Sequence, residues 1–509
     1  MGSIGELLAG RDTAGVTPAA EGTALAARLK DACALDVYPR SIAVAGRRLY
    51  FLGRRGTGKL LGVLFPDGAS PLRGKQEKIE IDGLAFNLAL GPTTHENAIV
   101  LRRELPYTAP GLVGSGASFG LGDRLGLATP GHVRAIRRGR LVPVFAQQSM
   151  REMQRTGRTP REVVDDASWG VFQEGFCEPW GADADHLKTI EDIDRCLDAG
   201  FGFFTFDPSG HVTAARELES VPWDALETNL SDARRLYLGR HDLEGGSAVE
   251  IDETSLLRAY AGYGRALVHI VEMQRYLAGR MNGRPFEIEV SVDESEAETS
   301  IEEHFIVASE LGRLGIELAS LAPRYPGRFE KGCDYIGDLG RFEQSFALHV
   351  AVARTLGSYK LGVHSGSDKF RLYPSMARLA DGRLHVKTAG TSYLEALRVI
   401  AVVDPDLFVE IFEFARRRYP DDKASYKVSA DPARLPALHE MKSADLPGLL
   451  DDLDARQLLH VTFGSVLTAP AQAGESLKER ILECLRTDEE NYYSALEAHF
   501  ERHLLPLAC

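Results

Sequence analysis

Phe286-Glu287-Ile288-Glu289-Val290-Ser291-Val292-Asp293 alternates polar and branched apolar side chains at a period of two. A strand with that period puts Glu287, Glu289, Ser291 and Asp293 on one face and Ile288, Val290 and Val292 on the other. In a closed barrel wrapped by helices the apolar set packs outward, so the carboxylates face the interior. Buried carboxylates have raised pKa unless a cation or metal is at hand, which suits acid/base work. The competing reading, strongest for Glu287, is a structural network with Lys360 and Lys387, which project inward from other strands.

Working outward, the same grammar of a short strand ending in polar residues, then a longer helical pattern, recurs on both sides. Upstream lie Ala117–Asp123, Leu141–Gln147, Ala182–His186 and Gly202–Asp207. Downstream lie Ile316–Ala322, Tyr359–His364 and Leu384–Thr388. Thr129-Pro130-Gly131, with Thr at the N-cap and Pro at the first helical position, opens the helix after the first strand. Eight strand–helix units are the number that closes a (β/α)8, TIM-type barrel. The rival is an open doubly wound sheet, which typically carries a phosphate-binding glycine loop. Gly114-Ser115-Gly116-Ala117-Ser118-Phe119-Gly120 is glycine-rich but lacks the GxGxxG spacing. No NAD is expected.

The barrel is expected over residues 112–405. Residues 1–111 read as an accessory unit: a helical lead-in through Thr23–Ala34, then short β-type runs at Ser41–Phe51, Lys59–Phe65, Lys78–Leu88 and Asn97–Leu105. Between the fourth and fifth strands, residues 211–285 form an insertion, rich in Leu and Ala from Thr213 to Ala278 and too long for an ordinary connection. It is read as helical, serving as a lid or as an interface in a homo-oligomer. Residues 406–509 read as a helical extension. A chain of 509 residues has room for all of this.

Composition narrows the function. The net charge of −14, from 73 acidic against 59 basic residues, argues against nucleic-acid or anionic-membrane partners. Cys33, Cys177, Cys196, Cys333, Cys484 and Cys509 form no CxxC pair and read as reduced thiols of a cytoplasmic protein. Met1-Gly2-Ser3-Ile4-Gly5-Glu6 lacks the marks of a signal peptide, and no apolar run is long enough to span a membrane.

In a barrel, chemistry sits at the C-terminal strand ends. Nearly every end here is polar, which a barrel built only for stability would not need, since unpaired buried charges are costly. His186 and His364 follow the third and seventh strands, on opposite sides of the barrel, and are the strongest metal candidates. Imidazole suits Zn, Ni, Co, Mn or Fe, and a catalytic site needs about three protein ligands. The third ligand is open: His385, one layer deeper by pattern, Glu289 or Asp293, with His304 a weaker choice. Without metal, the two histidines would be hydrogen-bonded structural residues. Asp185, Glu289 and Asp293 are the candidate acid/base groups. Arg124, Arg324, Lys369 and Lys387 place cations at four rim positions, which suggests an anionic substrate. Asp123, Gln147, Ser365 and Asp368 complete the candidate substrate contacts.

Longer motifs run through these ends. They are Gly122-Asp123-Arg124-Leu125-Gly126-Leu127-Ala128-Thr129-Pro130-Gly131-His132, Phe145-Ala146-Gln147-Gln148-Ser149, Arg151-Glu152-Met153 and Gly181-Ala182-Asp183-Ala184-Asp185-His186-Leu187-Lys188. His364-Ser365-Gly366-Ser367-Asp368-Lys369-Phe370 and His385-Val386-Lys387-Thr388-Ala389-Gly390-Thr391-Ser392-Tyr393 follow. Together they resemble the tagaturonate epimerase family, over about residues 112 to 405. The resemblance implies a metal-dependent epimerase interconverting D-tagaturonate and D-fructuronate, small anionic keto-sugars, with neutral tagatose and fructose as related substrates. It implies inversion at a hydroxyl carbon β to the ketone, whose hydrogen is not acidic. Retro-aldol cleavage and recombination is the expected route; transient oxidation would need NAD. A metal-dependent aldolase or keto-sugar isomerase would use the same site, and a non-enzymatic sugar-binding protein would need neither metal nor acid/base groups.

Overall fold

The computed structural model describes all residues except 1–3, 10–14, 18, 214–220, 294–296, 472–473 and 508–509. Cys509 and the start of the Leu/Ala-rich insertion therefore lie outside the described residues.

All eight expected barrel strands form. They are β1 (Ser118–Leu121), β2 (Val142–Ser149), β3 (Gly181–Leu187), β4 (Phe203–Phe206), β5 (Glu287–Ser291), β6 (Ser320–Ala322), β7 (Lys360–Val363) and β8 (Leu384–Thr388). Each pairs in parallel with the next, and β8 pairs with β1, closing the barrel. The outward residues Ile288 and Val290 of β5, and Val292 just after it, are buried, so the alternation has its expected sense. The helix after β1 begins at Thr129 itself, one residue earlier than expected; Ala128 precedes it and no side chain caps it. Asp123 orders the preceding turn instead, its carboxylate accepting the backbone N–H groups of Leu125 (3.0 Å), Gly126 (2.8 Å) and Ala128 (2.7 Å).

The N-terminal strands make one seven-stranded antiparallel sheet. Two runs expected as single strands are hairpins. Ser41–Phe51 is divided by a turn at Gly46 (φ 55°), and Lys78–Leu88 by Asp82-Gly83 (φ 53° and 76°), the pair of left-handed residues a tight hairpin needs. Asn97–Leu105, expected to be β, is the helix His95–Glu104, with the Thr94 side chain capping Asn97 N. Its buried Ala98, Leu101 and Leu105 recur at helical, not strand, spacing. The sheet docks on the barrel through Tyr50, Leu52, Leu61 and Val63, which share a core with Trp169 and Phe172 of the barrel helix Pro160–Glu174.

Residues 211–285 contain more than helix. The helix Leu230–Tyr237 leads into a hairpin, Gly239–Asp242 against Ala248–Ile251, and then into the 29-residue helix Glu253–Met281. That long helix packs between Ile190–Leu197 and Ile301–Arg313, so it occupies the barrel's own outer ring rather than overhanging the mouth as a lid. The C-terminal residues are helical. Their last long helix, Glu489–Leu504, lies along Thr129–Ile136, with Phe500 edge-on to His132 at 4.8 Å.

Candidate active site

The barrel interior is polar and layered. At its N-terminal end, Glu287 accepts the backbone N–H groups of Val113 (2.6 Å) and Gly114 (2.7 Å), while Lys360 donates to Gly114 O (2.7 Å) and Ser118 Oγ (3.2 Å). Glu287 thus closes the bottom of the barrel, far from the mouth.

One layer up, Lys387 Nζ lies 2.6 Å from Asp183, 2.8 Å from Asp185 and 2.7 Å from Glu289, and donates to Thr205 Oγ1 (2.6 Å). All five side chains are buried. Burial alone would raise every one of these carboxyl groups. For Glu289 the charges of Lys387 and His364 outweigh it, and for Asp185 those of His186 and Lys387 do; both are held well below the usual carboxylate range. Asp183, dominated by burial and facing two other carboxylates, is pushed up to about 6. Lys387 is held firmly charged, since its three acidic neighbours overcome its burial. His385 shares this layer: its Nδ1 bonds Ser118 Oγ (2.8 Å), and burial drives it well below the usual histidine range.

At the mouth, β3 departs from regular geometry. Its register with β4 slips between Ala184 and Leu187, and His186 adopts φ 55°, a left-handed conformation rare outside glycine. In a regular strand Asp185 and His186 would point to opposite faces. The bulge instead lets His186 Nδ1 donate to Asp185 Oδ1 (2.8 Å). Across the mouth, His364 Nε2 donates to Glu289 Oε1 (2.6 Å). The two imidazoles meet at 5.0 Å between ring centroids. Each has one nitrogen on a carboxylate and the other facing Asp293, whose Oδ1 is 3.9 Å from His186 Nε2 and 3.6 Å from His364 Nδ1.

This set can hold a metal ion. Asp185, His186 and His364 offer donor atoms within 4.8 Å of one another. His364 Nδ1 is buried with no hydrogen-bond partner, as is Glu289 Oε2. A histidine whose far N–H sits on a carboxylate while its near nitrogen stays open is how proteins orient imidazole ligands. Asp293 Oδ1 faces both rings as a further oxygen beside that group.

The remaining candidates separate into those at this mouth and those elsewhere. Gln147 joins it, donating to Asp185 Oδ2 (3.3 Å), and Arg324 borders it, donating to Asp293 O (3.0 Å). His385 lies a layer below His186 and His364. Lys387, placed by sequence among rim cations, is buried beneath the carboxylates. Arg124 is engaged elsewhere: it pairs with buried Glu152 (2.8 Å) and its guanidinium stacks 3.6 Å over the Phe463 ring. Asp368 is held by Arg456 (2.9 Å) and His499 (3.3 Å), and Asp123 by its own loop. His304 sits outside the barrel, bonded to His349 and Tyr359 at 2.8 Å each. Ser365 and Lys369 line a separate small cavity. Sequence reading missed Asp183 as a site residue, although period two from Asp185 marks it. It also missed Arg456 and His460, which no local pattern ties to the barrel.

A closed parallel barrel whose mouth gathers paired carboxylates, a buried lysine and two open imidazole nitrogens defines a barrel enzyme equipped for acid/base chemistry. Comparison with known proteins names the kind. The model of the tagaturonate epimerase family matches residues 38–507, and the chain belongs to that family. The tagaturonate/fructuronate epimerase of Thermotoga maritima is 44% identical over 475 residues, covering 92% of this chain and 96% of that protein. The native crystal structure of the fructuronate-tagaturonate epimerase of Cohnella laeviribosi superposes with a TM-score of 0.86 at 36% identity, over 96% of this chain and 99% of that one. A glycerol complex of the same enzyme matches with the same TM-score of 0.86 at 35% identity. The chain is an isomerase.

Proposed function

We propose that this protein interconverts D-tagaturonate and D-fructuronate by breaking and remaking the carbon–carbon bond beside the inverted carbon, using a divalent cation held by His186, His364 and Asp293. The observation that carries the reading is the double carboxylate–histidine arrangement, Asp185–His186 and Glu289–His364, converging on one open point at the barrel mouth. When bound there, the cation supplies Lewis-acid stabilisation of a developing oxyanion.

The chain's own residues handle the protons. The inverted carbon bears a hydroxyl β to the ketone, so its C–H bond is not acidic. Asp185, ionised at neutral pH, accepts the hydroxyl proton. The electrons of that O–H bond form a carbonyl as the neighbouring C–C bond breaks, and the C–C electrons pass to the ketone-bearing fragment. The aldehyde fragment turns over and the bond reforms on its other face. Its oxygen now faces the opposite wall, where Glu289 delivers to it the proton that Asp185 took up, passed across by Lys387, which touches both carboxylates. The cycle leaves both carboxylates ionised again, and Lys387 fixes their spacing. Gln147 orients Asp185 through Oδ2.

Incubating the purified protein with D-tagaturonate, with and without chelator, tests this. Fructuronate should form until the chelator is added and resume with added divalent metal. Activity indifferent to exhaustive metal removal would overturn the metal reading, and no fructuronate under any metal would overturn the function.

A further inference from the structure

Of the four rim cations that the sequence offers to an anionic substrate, three are spent inside the protein. Lys387 lies among Asp183, Asp185 and Glu289. Arg124 pairs with Glu152 at 2.8 Å. Lys369 gives its ammonium hydrogens to the carbonyls of Glu330 (2.9 Å), Cys333 (2.6 Å) and Ser367 (2.9 Å). Arg324, on the loop after β6, differs from all three. Among the described residues its guanidinium makes one hydrogen bond, from Nη1 to Asp293 O (3.0 Å), and no ion pair. A guanidinium is a rigid fork of N–H donors, so most of this one stays open.

The backbone that carries Arg324 is pinned. Its N–H donates to Thr299 Oγ1 (3.0 Å), its carbonyl accepts the N–H of Thr299 (3.0 Å), and Thr299 is buried. Tyr325, the next residue, is buried as well. Its hydroxyl donates to Gly362 O on β7 (3.3 Å), and its ring lies 5.4 Å from that of Phe346. The arginine is therefore held on both sides, with its own side chain half-buried. The bond to Asp293 O sets the guanidinium beside the residue whose Oδ1 faces His186 and His364. Withdrawing a guanidinium part-way from water without an ionic partner costs free energy, which an anionic ligand would offset.

We propose that Arg324 grips the terminal carboxylate of the substrate and so makes the enzyme favour a uronate over the matching neutral ketose. The proposal rests on the epimerase reading above. Asp185, Glu289 and Asp293 gather at the mouth, and their charges oppose the entry of another carboxylate unless a cation meets it. In the uronate a single CHOH group separates the carboxylate from the inverted carbon. With the ketone at the histidines, the acid end therefore stays at the rim, which Arg324 borders. Guanidinium and carboxylate are planar groups that match through parallel N–H···O bonds. An arginine already anchored through its backbone loses little freedom in making them. The hydroxymethyl end of the neutral ketose offers neither the charge nor the pair of oxygens.

The test compares Arg324→Gln and Arg324→Lys with wild type on fructuronate and on fructose. Loss of a charge-assisted contact should lower the ratio of kcat/KM for fructuronate to that for fructose by about ten- to a hundredfold in Arg324→Gln, mostly through KM. Arg324→Lys, which keeps the charge without the fork, should retain part of the ratio. Equal losses on both sugars would overturn the proposal and leave Arg324 as a support for Asp293. Binding is read separately by titrating wild type and Arg324→Gln with D-gluconate and with sorbitol, which differ in one terminal carboxylate. Wild type should prefer gluconate and the variant should lose that preference; a preference retained in the variant overturns the proposal. If wild type turns over neither sugar, the epimerase reading falls, while the titration still decides the role of Arg324.

Discussion

Lys387 on β8 reaches across the barrel to within 2.7 Å of Glu289 on β5, and the same ammonium touches Asp183 and Asp185 on β3. One buried cation thus serves three buried carboxylates. Removing it leaves charges without a partner, a change that costs about 3–5 kcal/mol in buried ion pairs. Lys387→Met should therefore unfold at markedly lower denaturant and lose turnover of uronate and neutral ketose alike. Loss confined to the uronate would mean that Lys387 meets the substrate carboxylate instead.

His186→Ala and His364→Ala should each lose bound divalent metal while keeping the wild-type circular-dichroism spectrum. Each removes one of the two open nitrogens facing Asp293. Elemental analysis showing full metal occupancy in either variant would remove that residue from the ligand set. Asp293→Asn keeps an oxygen at the same place but lacks its charge, and should weaken metal affinity without abolishing it.

Arg124 should behave as part of the fold, despite its place in the motif after β1. Its buried pair with Glu152 and its stacking on Phe463 tie the β1 loop to the helices Met150–Thr156 and Phe463–Thr468. Arg124→Met should destabilise by about 3 kcal/mol or more. The ratio of kcat/KM between uronate and ketose should not move. A selective loss on the uronate would show that Arg124 contacts substrate.

Carbon–carbon cleavage leaves the hydrogen of the inverted carbon attached throughout. Substrate deuterated there should keep its label in ordinary water and show only a small secondary isotope effect. A large primary effect, or wash-out of the label, would mean that the C–H bond breaks. Asp185 and Glu289 would then need different roles.

Stability should fall as the pH drops below neutrality. Burial holds His132 down at about 4 and both His349 and His503 at about 3, against about 6.5 in the unfolded chain. Between those values the unfolded chain binds more protons, so stability rises with pH and is lost on acidification. Each of these histidines contributes about 2 kcal/mol of that loss between pH 6.5 and 5. Asp166, raised by burial to about 7, opposes part of it. Melting temperatures should drop clearly from pH 7 to 5; an unchanged value would contradict neutral burial of these rings.

The barrel was legible because its signals are local. The period of two in Glu287–Asp293 and the recurrence of strand then helix depend only on neighbours along the chain, and they placed all eight strands and the strand-end residues His186, His364, Asp185 and Glu289. Hairpins were read as single strands where Gly46 and Asp82-Gly83 reverse the chain within a continuous apolar pattern. What the local pattern does not contain is which buried charges share a counter-ion. Lys387 and Asp185 are 202 positions apart, and Arg124 and His460 are 336 apart. A charge's partner is set by distances of a few ångström through a medium of low dielectric, and those distances exist only once the barrel has closed and the C-terminal helices have docked. Sequence therefore determined that cations line this barrel, while tertiary structure decided that Lys387 and Arg124 hold the enzyme's own carboxylates. The bulge that turns His186 toward Asp185 is likewise a property of the β3–β4 register, invisible in either strand alone.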